Sequence, residues 1–164
     1  MRRFLAGGLV AGVMVTSAFA FMGPAAQAGT AAASTSCSLS SVVSFSPGLD
    51  YSTEHPQKIK VKGKLTGCVG GGVASAKAKG KGGGSLSCTS GSATVSLKVK
   101  WNTGESSTVS LIVDLGSQSL SGTVASGKFA GETVSASNVS FTILQGDCFF
   151  SPVTKAQVDG TVAL

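Results

Sequence analysis

Hydrophobic and polar residues alternate along most of this chain with a period of two. Ile59, Val61 and Leu65 interleave with Lys58, Lys60, Lys62 and Lys64. In an extended chain this puts oily side chains on one face and a row of ammonium groups on the other, a sorting no helix achieves. Val95, Leu97, Val99 and Trp101 alternate in the same way with Thr94, Ser96, Lys98 and Lys100. Asn102-Thr103-Gly104 then makes a turn, and Val109, Leu111 and Val113 alternate on the return, so residues 94–113 read as a hairpin. Trp101 shares the parity of the apolar residues before it, which assigns it to the core. Ser41–Phe45 is strand-like and stops at Pro47-Gly48. Further strands are expected around Leu120 and Val124, over Val139–Ile143, and over Ala156–Val162. Between Gly70 and Ser85 complexity falls: Ala74–Lys79 reads as a weak strand and Gly80–Gly84 as a flexible loop. No amphipathic helix is evident after residue 28. About eight to ten short antiparallel strands predict an all-β fold, a β-sandwich or a barrel.

The first residues have a different character. Arg2-Arg3 is followed by a charge-free apolar run to Met22, the breaker Gly23-Pro24, and Ala26-Gln27-Ala28. That order matches a cleaved export signal over residues 1–28, with no transmembrane anchor left in the mature form. Residues 29–36 are Gly, Ala, Ser, Thr and read as a disordered lead-in. Residues 37–164 make one all-β domain. After residue 28 there are eleven lysines and seven acids, a net charge of +4.

Cys37, Cys68, Cys88 and Cys148 all follow the leader. An even count in an exported chain predicts two disulfides and a secreted, extracellular protein. No Cys-x-x-Cys pair is present and the single His55 has no cysteine near it, so neither a metal nor another cofactor is expected. Four cysteines allow three connectivities. If the first two strands pair antiparallel, the start of one meets the end of the other. That arrangement favours Cys37–Cys68, with Cys88–Cys148 as the second bridge.

Candidate chemistry is sparse. The chain has no Gly-x-Ser-x-Gly and no Ser-x-x-Lys, and its acids are scattered. Asp50, Tyr51, Glu54 and His55 form one dense polar cluster, which reads as a solvated loop and otherwise as the only seed for a hydrolase. Lys58, Lys60, Lys62, Lys64, Lys77, Lys79 and Lys81 are the strongest binding candidates. If their segments are adjacent they form a basic patch for an anionic polymer. The competing reading is that strand lysines only discourage edge-to-edge pairing. No arginine or aromatic accompanies them, so specific nucleic-acid recognition is not expected.

Phe45-Ser46-Pro47-Gly48-Leu49, Leu65-Thr66-Gly67-Cys68, Ser87-Cys88, Trp101-Asn102-Thr103-Gly104 and Gly127-Lys128-Phe129-Ala130-Gly131 occur in order between Cys37 and Gly160. This arrangement resembles uncharacterised small secreted β-rich proteins of actinobacteria that carry no assigned function. The resemblance implies export and a β fold, and no activity. The expectation is therefore a secreted, non-enzymatic β-domain that binds an anionic envelope or extracellular polymer. The alternative is a partner protein at the cell surface, engaged through exposed loops and Phe149-Phe150.

Overall fold

The computed structural model describes residues 34–164. The export signal expected over residues 1–28 and the first part of the lead-in lie outside the described residues. Eight strands follow one another: β1 (Ser36–Leu49), β2 (His55–Val69), β3 (Ala76–Leu86), β4 (Gly91–Trp101), β5 (Ser106–Asp114), β6 (Ser119–Gly127), β7 (Thr133–Gln145) and β8 (Val153–Ala163). Each pairs antiparallel with the next, and β8 pairs with β1, so the sheet closes into an up-and-down barrel. Of the two architectures the alternation allowed, the barrel is the one formed.

Closure reaches further toward the N-terminus than the expected lead-in allows. Ser36 already belongs to β1, and Thr35 is buried and exchanges backbone hydrogen bonds with Leu164 at 3.1 and 2.9 Å. Disorder therefore does not extend to Thr35 and Ser36, because the last residue of the barrel supplies them with a partner.

The parity of β2 changes near its end, and the first disulfide depends on that change. Val61, Gly63 and Leu65 face inward, so Cys68 would face outward in a regular strand. The register moves from Ser38↔Thr66 to Ser36↔Val69, which sets two residues of β2 against Cys37 alone. Gly67, at φ 59°, supplies the left-handed residue of this bulge. The bulge turns Cys68 toward Cys37, and the two are bonded with their Cα atoms 4.1 Å apart. Cys88 and Cys148 form the second bridge, Cα atoms 6.2 Å apart. Both pairs are those favoured from the sequence, but antiparallel pairing accounts only for the first, since Cys88 and Cys148 lie on loops between strands that are not neighbours.

The expected loop at Gly80–Gly84 is instead the middle of β3, paired on both sides. Its inward positions are Gly80, Gly82 and Gly84. A Cβ on Gly82 would run into the carbonyl oxygen of Thr94 on β4 and would lie 2.7 Å from Val95 Cα. Glycine is needed there because the two backbones close on each other as the sheet curls shut, which is a packing demand rather than flexibility. Gly82→Ala is accordingly expected to destabilise the barrel by about 2–3 kcal/mol. Gly116→Ala, which meets only Asp114 Oδ1 at 3.4 Å, should stay within about 0.5 kcal/mol in the same thermal unfolding experiment.

Inward side chains form two apolar clusters. One gathers Leu65, Val99, Trp101, Val109 and Val124 at the end where the chain enters, and the other gathers Leu49, Ile59, Leu86, Val95 and Val153 at the opposite end. Trp101 is 3% exposed, as its parity predicted. Its indole N–H donates to Ser107 Oγ at 2.8 Å, and its ring meets Phe129 edge-on with centroids 5.2 Å apart. The polar handle of a buried tryptophan is thus satisfied inside the barrel.

Candidate functional site

Strand pairing brings all seven candidate lysines onto one surface. Lys60 stands opposite Lys81, Lys62 opposite Lys79, and Lys64 opposite Lys77. The next strand continues the rows, with Lys98 opposite Lys79 and Lys100 opposite Lys77. Lys58 extends the β2 column and faces Gly83. All nine side chains are exposed. Antiparallel geometry spaces them by roughly 4.8 Å across strands and roughly 6.8 Å along them, so the outside of β2–β4 is a lattice of ammonium groups.

Lys98 and Lys100 were not among the sequence candidates. The signal was available: they alternate with Leu97, Val99 and Trp101 exactly as Lys58–Lys64 alternate with their apolar neighbours, but only β3–β4 pairing sets them beside Lys77 and Lys79. The acids lie elsewhere. None occurs from His55 to Gly104, while Asp50, Glu54, Glu105, Asp114 and Asp147 sit in or beside turns at the two ends of the barrel. Among the described residues, the one lysine held in an ion pair is Lys128, 2.8 Å from Glu105 across that end. The hydrogen bond from Lys128, with a second from Thr103, holds the Glu105 carboxyl below its usual range.

Two features make the lattice informative. Five Lys–Lys pairs stand directly opposed, and like charges so placed oppose folding by roughly 0.2–1 kcal/mol each. Nor does protection of a sheet edge account for them, since β2, β3 and β4 each have a neighbour on both sides. Lys62, Lys64, Lys77 and Lys79, with Ser40, Val42 and Gln157, border a shallow groove on the outer surface.

The other candidate cluster lies at the barrel end opposite Trp101. His55 Nε2 is 2.8 Å from Asp50 Oδ2. Glu54 Oε1 accepts from Ser90 Oγ at 2.6 Å, and Thr89 Oγ1 donates to the Tyr51 carbonyl at 3.2 Å. The hydroxyls nearby are thus engaged with Glu54 and with main chain, and the Asp50–His55 pair ties the β1–β2 loop to the start of β2. Phe149 and Phe150 are both exposed, at 71% and 96%. They leave β7 on a loop rather than a strand, so the rule of opposite faces does not apply to them. The Phe149 ring stacks on Tyr51 with centroids 4.5 Å apart.

Asp147 organises that loop. Its Oδ1 accepts backbone N–H bonds from Phe149, Phe150 and Ser151 at 3.0, 2.7 and 2.9 Å. These bonds, Ser151 foremost, hold its carboxyl below the usual aspartate range. A carboxyl depressed in the folded state lends stability above its unfolded pKa and withdraws it as pH falls through the folded value. Acidification below the ordinary aspartate range should therefore release residues 146–152 while the barrel persists. Loss of the Tyr51–Phe149 contact in NMR spectra would report this, and Asp147→Asn should remove the pH dependence.

Comparison of the chain with protein-family models, curated proteins and solved structures gives no match. The two disulfides point to an oxidising environment for the folded chain.

Proposed function

We propose that this chain is an exported, non-enzymatic barrel that holds an anionic polymer of the cell envelope or extracellular space against β2–β4. One observation carries the reading: nine lysines in register on three adjacent strands, with no acid from His55 to Gly104. A charge arrangement that works against folding and guards no edge is readily understood if a ligand neutralises it. Successive lysines along a strand lie roughly 6.8 Å apart, so the charges form straight rows along which an extended polyanion can lie. Lysine acts as a point charge without the planar fork of arginine, which suits recognition by charge density over recognition by sequence.

The test is binding of the mature, oxidised protein to purified teichoic acid across a salt series. The logarithm of affinity should fall linearly with the logarithm of salt. Engagement of six or more lysines should lower affinity by at least about a thousand-fold between roughly 50 and 200 mM salt. Binding that ignores salt, or no binding at the low end, would remove the proposal. A second reading, a protein partner, draws on Tyr51, Phe149 and Phe150, whose apolar surface lies around the other disulfide. A partner captured from culture medium at high salt and lost on Phe150→Ser would favour it.

A further inference from the structure

The inside of the barrel is incompletely filled. A cavity of about 110 Å³ is lined by residues from all eight strands, including Leu97, which packs against both apolar clusters. Three inward positions of β3 are glycine and contribute no side chain to that space. Val61 and Leu97 sit mid-strand on the inner face, line the cavity and are only partly buried. An eight-stranded barrel stands at the size where the interior is either filled by side chains or retains room for one small molecule.

We propose that this lumen is a binding site for an uncharged hydrocarbon group no larger than a single aromatic ring or a short alkyl chain. The chemistry of the lining sets the class. Ser41 is the one polar residue on it, and its hydroxyl is already given to the Val158 carbonyl at 3.3 Å. A polar atom carried inside would find no partner and would lose its water, so any polar end of the ligand stays outside. The volume sets the size: an apolar cavity of about 150 Å³ takes up benzene and otherwise stays dry.

The strand pairing indicates the way in. β6 and β7 pair only from Ser121 to Thr123 against Ser135 to Thr133, whereas β7 runs on to Gln145 with β8 as its one partner. Phe141, on this part of β7, lines the lumen and is 39% exposed, and Leu120 lines it from β6. Phe141 is therefore where interior and solvent meet. This seam lies across the barrel from the lysine lattice, so the two sites are independent.

Trp101 lines the lumen and is the only tryptophan, so its emission reports occupancy directly. Benzene titrated into the mature, oxidised protein should change that emission saturably and raise Tm by about 3–5 °C. Ala78→Leu, which fills the lumen, should abolish both responses. Leu111→Ala, which enlarges it, should admit n-butylbenzene, which the parent barrel should exclude, and this keeps the test decisive if Ala78→Leu fails to fold. Phe149→Ser with Phe150→Ser should leave the response unchanged. No saturable change up to the solubility of benzene would overturn the proposal. So would an equal response in folded Ala78→Leu, or loss of response in the Phe149/Phe150 variant, which would move the ligand to the outer surface.

Discussion

Lys79→Thr is expected to make the barrel more stable and its grip on a polyanion weaker. Lys79 is the centre of the lattice, with Lys62 on one side and Lys98 on the other. Removing it deletes two directly opposed like-charge pairs, and threonine suits an exposed strand position. The gain should be about 0.5–1 kcal/mol, or roughly 2–4 °C in Tm, and should vanish at high salt, where the repulsion is already screened. Binding moves the other way. Each lysine near an anionic surface contributes about 1 kcal/mol. Neutralising the whole row, Lys62, Lys79 and Lys98, should therefore weaken binding to teichoic acid by about a hundred-fold at low salt. It should also flatten the salt dependence by about three counterions. Lys128→Thr serves as the control, since that ammonium, on the β6–β7 turn and outside the lattice, is committed to Glu105. The opposite signs matter, because a purely solubilising role for these lysines predicts no loss of binding. A row variant that binds as tightly as the parent would refute a functional lattice, whatever its stability.

Loss of the Cys88–Cys148 bridge should be the most damaging single change to the fold. The bridge joins the β3–β4 loop to the β7–β8 loop, which lie on opposite sides of the closed sheet, so it straps one mouth of the barrel. It closes a chain segment of 60 residues, for which loop-closure entropy gives about 4 kcal/mol. Replacing both cysteines with serine should lower Tm by roughly 12–20 °C. The loss should also be local in its first stage. Beyond Ser135, β7 has β8 as its strand partner and the bridge at its end. Amides from Ala136 to Gln145 should therefore exchange earliest in the serine variant. Cys37–Cys68 closes a shorter segment of 31 residues and staples β1 to β2, which are already paired over most of their length. Its removal should lower Tm without selectively opening β7. Equal protection of β7 and β2 in the Cys88/Cys148 variant would contradict the strap.

Sequence reading recovered the elements whose residues alternate cleanly, and it failed where one side of the alternation was absent. Ile59–Leu65 and Val95–Trp101 were assigned to strands, and their inward and outward faces came out as the structure has them. The second half of β3 reads as a loop because a glycine carries no hydropathy signal. Gly80, Gly82 and Gly84 read as a linker, although their shared requirement is contact with the backbone of Leu97, Val95 and Ala93 in β4. The seven lysine candidates come from two segments that pairing does set side by side, while their part in binding rests on the polyanion titration. Lys98 and Lys100 joined only through a pairing that hydropathy does not encode.

Local pattern thus determined most of the strands, which face of each is oily, the basic stretch and, through simple antiparallel pairing, the preference for Cys37–Cys68. These follow from side-chain direction along an extended chain, which depends on nearest neighbours. Tertiary structure alone decided that the sheet closes, because β8 must find β1 more than a hundred residues away and no local preference specifies that meeting. From closure came everything of functional interest: lysines that have no edge to protect, a lattice three strands wide, a disulfide across a mouth, and a lumen that side chains do not fill.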